Sequence, residues 1–307
     1  MSRRALITGA NGFLGRHVTE RLKAEGWAVS RAVRSAPAGE APDGTLVLGT
    51  APWTEASMAK ALEEANPDTV FHLAGNPWAR PVSALYETNL LLAARLLDAV
   101  AARSRPPAVV LIGSAAEYGF VAEDRQPVRE DAVCVPQNHH AIAKHAQTQL
   151  GLSWAQAGVP VLVARLFNPV GANMPAGLAL PSFAAQIVGG ARELRVGDLD
   201  VARDFIDVAE AARLIVALAS DSRNFGRVVN ICSGTATVLR SLVDRMVKLA
   251  NRPIDIATDQ ARMRAGEMRT LRGDTGRLLA AGLTPAAPDF GKLLPVLMRD
   301  LETRGNS

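Results

Sequence analysis

The segment from Arg4 to Gly15 reads RALIT and then, without a break, GANGFLG. A short strand-like run enters three glycines, Gly9, Gly12 and Gly15, and a stretch with helical periodicity follows. Glycine at a strand-to-helix turn lets the backbone reverse tightly and lets another group approach the main chain. The helix beyond it presents unpaired N–H groups and the positive end of its dipole. The pyrophosphate of a dinucleotide suits such a turn, so Gly9, Asn11, Gly12, Phe13, Leu14 and Gly15 are expected to border a cofactor. The alternative is a bare structural turn, and the context decides between them.

That context is a regular alternation of apolar strands and amphipathic helices. Strands are expected at RALIT from Arg4, AVSRAV from Ala28, TLVLG from Thr45, DTVFHLA from Asp68, AVVLIGS from Ala108 and VPVLVARL from Val159. Between them, Leu85, Leu92, Leu96, Leu97 and Val100 recur at helical spacing. The rhythm predicts an α/β fold, a Rossmann-like doubly wound parallel sheet buried on both faces. After Phe167 glycine and proline become frequent and the alternation breaks. A dinucleotide-binding domain over 1–166 is expected, its core continuing near 201–232. A smaller mixed α/β substrate lobe is expected over 167–307.

Composition narrows the partners. The 34 basic and 30 acidic residues are interleaved with no dense basic block, so the net charge of +4 points to a small anionic ligand and not to nucleic acid. Two cysteines, Cys134 and Cys232, are too few for a disulfide framework or a zinc site, and no metal is expected. No apolar run has the length of a membrane span, and the N-terminus enters a strand with no cleavable leader pattern. A cytoplasmic protein is expected.

The motifs resemble those of the extended short-chain dehydrogenase/reductase family, of NAD-dependent epimerase/dehydratase type. The glycine spacing, PDTVFHLAG at Pro67–Gly75, Asn89 in LYETNLLLA and GSAAEYG at Gly113–Gly119 carry the resemblance over nearly the whole chain. It implies that the backbone at Leu73 and Ala74 lies along the cofactor, that Asn89 is a structural and relay residue, and that Ser114 supplies the catalytic hydroxyl. RLFNPVGANMP, ARDFIDV and ARMRAGEM resemble segments that hold a nucleoside diphosphate sugar, which assigns Asn168, Arg203, Arg264 and Glu267 to the substrate. Two guanidinium forks and a carboxylate match a diphosphate and a vicinal diol, against a local Arg203–Asp204 ion pair as the plain reading. At the end of the second strand, Val33 stands where the family carries an acid that grips a ribose hydroxyl, and Arg34 follows. An arginine there accommodates a 2′-phosphate, so the cofactor is NADP or NAD with NADP favoured. Thr50 replaces another acid, at the adenine.

The family's active site uses a tyrosine and a lysine one helical turn apart. Neither tyrosine here, Tyr86 nor Tyr118, has a lysine four residues on; the matching slot holds His140, followed by Lys144. Imidazole titrates near neutrality and serves as acid or base, and a neighbouring ammonium together with burial favours its neutral form. Lys144 would also bind the nicotinamide ribose. His139 and His145 fall off the 140/144 face and read as packing or surface residues. His72 reads as a satisfied core histidine and Tyr118 as a wall of the site.

The acidic pair that sugar 4,6-dehydratases carry after the catalytic hydroxyl is Ala115 and Ala116 here, with an acid only at Glu117, so dehydration is not expected. The wording is most similar to 4-ketoreductases acting on GDP-4-dehydro-6-deoxy-mannose and related deoxysugars. Three readings stay open: such a reductase, a 4-epimerase with tightly bound NAD, or a nucleotide-binding homologue impaired in turnover. The resemblance implies a homodimer paired through the helices containing LYETNLLLAARLLDAV and NHHAIAKHAQTQLGLSWAQ.

Overall fold

The computed structural model describes residues 2–35, 44–49, 52–263 and 268–305. Strands β1 (Arg4–Thr8), β2 (Ala28–Val33), β3 (Thr45–Val47), β4 (Thr69–His72), β5 (Ala108–Ser114) and β6 (Val161–Leu166) lie where the apolar runs place them. Three short strands follow, β7 (Asn168–Val170), β8 (Glu193–Val196) and β9 (Ala202–Asp207), and then β10 (Arg227–Ile231). Strand β10 completes a seven-stranded parallel sheet in the order β3-β2-β1-β4-β5-β6-β10. The order reverses between β1 and β4, and in a sheet of this kind the crevice beyond those carboxyl ends binds ligands.

Period-two side chains bury the sheet on both faces. Ala5, Ile7, Val110 and Ile112 pack under helices α1 (Phe13–Ala24) and, later in the chain, the helix Val208–Ala219. Leu6, Val70, Val109 and Leu111 pack on the other face, under α2 (Glu55–Ala65) and the helical run after β4. That run comprises α3 (Val82–Tyr86), a π-helical turn (Glu87–Leu91) and α4 (Leu92–Ala101). Asn89 explains the turn, because its Nδ2 donates to the Leu85 and Asn76 carbonyls and its Oδ1 accepts from Asn76 N–H. Widened turns of this type concentrate at functional sites.

Helix α5 (His139–Gln156) covers β5 and β6. Asn138 caps it, accepting the Ala141 N–H at 3.0 Å. The remaining helices are α6 (Ala179–Val188), α7 (Val208–Ala219), α8 (Leu239–Ala250), α9 (Gly276–Ala280) and α10 (Phe290–Gly305). Strand β9 pairs with β7, β11 (Ala236–Val238) and β13 (Thr270–Leu271), while β12 (Asp255–Thr258) pairs with β8. Residues from α6, α8 and α10, among them Phe183, Leu242, Met246, Leu294 and Leu297, make a separate core with Leu194 and Val196. No helix among the described residues is long and apolar enough to cross a membrane.

Candidate active site

The glycine turn is built by close approach of main chains. Gly9 has φ +72°, and a Cβ there would lie 2.6 Å from Ala74 N and 2.7 Å from the Leu73 carbonyl carbon. A Cβ on Gly15 would lie 2.1 Å from Gly9 O. No larger residue fits either place without moving the backbone. The turn therefore sits against the exit of β4 at the crossover, with the N-terminus of α1 opening beyond it. Gly12 has no side chain to cap that helix, so its first N–H groups are left for an external acceptor. The Phe13 side chain packs instead toward the core of α6, α8 and α10, and Leu14 toward the sheet core, so only their backbone can serve an anion. Asn11 is exposed, and its carbonyl accepts from Arg16 Nε at 3.1 Å. Val33 is buried at the end of β2 and Arg34 is exposed directly after it, so this position offers a guanidinium and no carboxylate. The set fits a dinucleotide. Thr50, Arg264 and Glu267 lie outside the described residues.

Helix α5 brings His140 and Lys144 onto one face, one turn apart, across β5 and the 3₁₀ turn Ala115–Tyr118. Lys144 is buried, and its ammonium donates to Ile112 O at 2.9 Å and Gln147 Oε1 at 3.0 Å. Burial lowers its pKa to about 8, with the Glu117 carboxylate opposing the shift. A Cβ on Gly75 would stand 2.9 Å from Asn89 Oδ1 and 3.5 Å from Lys144 Nζ, so the π turn and the lysine converge on the β4 exit. His140 is half-buried, and burial followed by the Lys144 charge lowers its pKa to about 4. It is a neutral imidazole at pH 7. Ser114 ends β5, and its Oγ accepts the Ala116 N–H at 3.2 Å, which leaves the hydroxyl proton to donate.

Under this group lies a buried ion pair that sequence reasoning missed. Glu117 Oε1 accepts the Ser114 N–H at 2.7 Å, while Oε2 accepts from Arg165 Nη2 at 2.9 Å and Nε at 3.2 Å. A Cβ on Gly113 would come within 2.6 Å of that carboxylate, so a glycine is needed beside it. Gln147 was also missed; its signal was the i, i+3 spacing from Lys144.

The other histidines divide. His139 is exposed, its ring edge-on to Tyr86 at 5.9 Å. His145 turns inward, with Nδ1 3.8 Å from Glu117 Oε2. Glu117, Cys134 and His145 bring donor atoms of metal-ligand type within 4.8 Å of one another, but the cation that the carboxylate faces is the Arg165 guanidinium. His72 is fully buried, and its Nδ1 meets Thr8 Oγ1 at 2.9 Å. Its Nε2 has no hydrogen-bond partner among the described residues, so it is satisfied on one side only. Tyr118 is not a wall of the site. It is wholly buried beneath Arg165, whose guanidinium lies 4.5 Å from the ring centre, and its hydroxyl donates to Asn230 Oδ1 at 2.7 Å. Burial pushes the phenol well above the ordinary tyrosine range, which removes it as a proton donor.

Next to the β7–β9 pair lies a cleft of about 560 Å³, bordered by Trp78, Asn168, Arg203, Phe205, Leu178 and Arg262 among others. Asn168 Nδ2 donates to Asp204 O at 2.8 Å, and Arg203 Nη1 donates to the Ala202 and Met268 carbonyls at 2.9 Å each. Asp204 points to the opposite side of β9, where Ser233, Gly234 and Gly273 supply its donors. The neighbours in sequence therefore do different work. Arg203 borders the cleft, and Asp204 ties β9 to two loops.

The profile of the NAD dependent epimerase/dehydratase family matches residues 5–232. GDP-6-deoxy-D-mannose reductase of Pseudomonas aeruginosa is 34% identical over 290 residues, which cover 91% of this chain and 90% of that protein. dTDP-6-deoxy-L-talose 4-dehydrogenase (NAD(P)(+)) of Kitasatospora kifunensis is 31% identical over 259 residues, 82% of this chain and 81% of that one. The solved structure of RMD from Pseudomonas aeruginosa complexed with NADPH aligns with a TM-score of 0.82 at 31% identity, covering 98% of each chain. By these matches the chain belongs to the NAD dependent epimerase/dehydratase family, within the extended short-chain dehydrogenase/reductases.

Proposed function

We propose that the protein is an NAD(P)-dependent oxidoreductase of nucleoside diphosphate sugars, and that it reduces the C4 ketone of a 4-keto-6-deoxysugar. The observation that carries this reading is the His140–Lys144 pair on one face of α5, beside the end of β5 that bears Ser114. Relatives named as a 6-deoxymannose reductase and a 6-deoxytalose 4-dehydrogenase, and a neighbour solved with NADPH, support the same substrate class and cofactor.

The cofactor would be held by the Gly9–Gly15 turn and the N–H groups of α1, by the backbone at Leu73 and Ala74, and by Lys144; Arg34 favours NADP over NAD. When bound, its nicotinamide supplies or accepts a hydride. The protein's residues manage the proton. Ser114 donates its hydroxyl hydrogen to the C4 oxygen and orients it. In oxidation neutral His140 removes the C4 hydroxyl proton; in reduction it first takes up a proton from solvent, which the growing negative charge on the oxygen favours, and passes that proton to the C4 oxygen. Asn168 and Arg203, with Arg264 and Glu267, hold the diphosphate and ribose. A homodimer through the run 85–100 and α5 belongs to this reading; Leu91 in the first and Ile142 in the second are exposed.

A second reading has its own observation. A resting imidazole with a pKa of about 4 is better prepared as a base than as an acid, which suits oxidation of a C4 hydroxyl and hence a 4-epimerase that retains NAD. One experiment separates the two. Denaturing the purified protein and identifying released nucleotides by mass spectrometry should find an empty site, after which NADPH is consumed with an NDP-4-keto-6-deoxysugar. Stoichiometric retained NAD, with interconversion of C4 epimers and no net cofactor consumption, would replace the first reading by the second. No turnover of any sugar nucleotide in either direction would overturn both.

A further inference from the structure

Trp78 stands in the loop between β4 and α3. Its backbone N–H is held by Asn76 Oδ1 at 3.0 Å, so the loop is pinned while the indole is left 46% exposed. Of the residues bordering the 560 Å³ cleft, Trp78 alone comes from before β7; the others run from Asn168 onward. The indole reaches across to Gly177, in the loop that leads into α6. A Cβ on Gly177 would lie 3.1 Å from Trp78 Cε2 and 3.4 Å from Nε1, closer than a Cβ normally sits. Gly177 does not have a positive φ, so its backbone does not call for glycine. What the glycine provides is room for the ring.

The position of this contact restricts what it can meet. Arg203 and Arg262 border the cleft, with Asp198 beside them, and Arg262 is ion-paired with Asp259 at 3.3 Å. The proton-handling residues lie at the exits of β4 and β5, the same edge from which the Trp78 loop leaves. A sugar whose diphosphate is held by those arginines and whose C4 is presented to His140 would run past the indole. Trp78 also brings the right chemistry. A flat apolar ring packs against the C–H face of a pyranose, and the indole N–H gives one directional donor.

We propose that Trp78 is the residue that recognises the hexose, an aromatic plate that the sugar contacts while the nucleotide does not. This rests on the sugar-nucleotide reading above and deepens it by dividing the substrate between two sets of side chains. Affinity for the nucleoside diphosphate resides in the arginines beyond β7. Affinity for the sugar resides in Trp78, and Gly177 keeps its ring in place.

The test compares GDP-, UDP- and dTDP-hexoses with the corresponding free diphosphates by calorimetry, on wild type, Trp78→Ala and Gly177→Ala. Trp78 is exposed, and no core depends on it. Trp78→Ala should weaken the sugar nucleotide about tenfold and the free diphosphate by less than about twofold. Gly177→Ala, which leaves the indole intact but pushes it aside, should act in the same direction. Tryptophan fluorescence gives an independent readout, because Trp27 and Trp53 are 8% and 5% exposed and Trp154 is partly buried. Sugar nucleotide should protect wild-type fluorescence from acrylamide quenching, and diphosphate alone should not. If Trp78→Ala loses both ligands equally, or neither, the inference falls and the sugar-nucleotide reading stands. If wild type binds diphosphates but no sugar nucleotide, that reading falls and takes the inference with it.

Discussion

Arg165 Nη2 stands 2.9 Å from Glu117 Oε2, and the two side chains are 2% and 0% exposed. The pair bridges β6 and the turn after β5, and the same carboxylate fixes the N–H of Ser114 at 2.7 Å. Removing two charges from water costs several kcal/mol each, and mutual attraction with good hydrogen bonding offsets that cost only while both partners remain.

Breaking one partner should therefore be worse than removing both. Glu117→Ala leaves a buried guanidinium and is expected to cost about 3–5 kcal/mol in urea unfolding. Glu117→Leu combined with Arg165→Met should recover much of that stability. Activity should not return with it, because the Ser114 N–H has then lost its acceptor. A double variant as unstable as the single one would show that the pair stabilises by more than satisfying its own charges.

Two histidines, His72 fully buried and His140 half-buried, set a direction for the pH dependence of stability. His140 and His72 have pKa values lowered to about 4 and about 3 by burial, with Lys144 adding to both. An unfolded histidine binds its proton below about pH 6.5. Between there and pH 4 the unfolded chain carries protons that the fold refuses, so stability is full above about 6.5 and falls as pH drops toward 4. Denaturation midpoints at pH 8, 6 and 5 should decline in that order, less steeply in His72→Gln.

Replacing the proton-transfer group should separate rate from binding. His140→Ala is expected to lower kcat about 10²- to 10⁴-fold with little change in cofactor affinity, while His139→Ala stays near wild type. His140→Tyr exchanges imidazole for a phenol that ionises several units higher. Measured in the oxidation direction, its kcat–pH profile should rise at higher pH than the wild-type profile. An unmoved profile would mean that another group carries the proton.

Helix α5 depends on a single side chain at its start. Asn138→Ala removes the acceptor for Ala141 N–H and should cost about 0.5–2 kcal/mol. His140 lies in that first turn, so kcat should fall more than the stability loss alone would give. Asn138→Asp or Asn138→Ser should restore both.

At the cofactor end, Gly15→Ala drives a methyl group to 2.1 Å from Gly9 O. The turn must open, so NADPH binding measured by fluorescence should weaken by at least tenfold. Gly12→Ala meets only Gly9 O at 3.1 Å and should be milder.

Much of this was legible in the sequence, for reasons particular residues show. Strands β1 to β6 could be read because Ala5, Leu6 and Ile7, or Val109 to Ile112, alternate between two buried faces. The glycine turn could be read because Gly9 and Gly15 have no substitutes. Strand β10 was harder, foreseen only as part of a segment near 201–232. Its pairing partner is β6, more than sixty residues earlier, and no local pattern encodes that register. Glu117 was noticed only as an acid in the wrong place for dehydration. Its partner Arg165 is 48 positions away, and the pairing exists only once β5 and β6 lie side by side. Trp78 gave no signal because an exposed aromatic in a loop has no period. Arg264 and Glu267 lie outside the described residues, so their places rest on resemblance alone.

The late arrival of β10 also matters as the chain emerges from a ribosome. Until Arg227 to Ile231 have been made, β6 presents Leu162 to Leu166 as a bare edge, apolar but for Arg165 and lined with unpaired N–H and C=O groups. By then the glycine turn, Ser114, His140 and Lys144 are already synthesised, yet the sheet that carries them is still open to wrong partners. Released chains truncated between residues 170 and 226 should accordingly collect as aggregates or chaperone complexes, and chains that extend well past Ile231 should not.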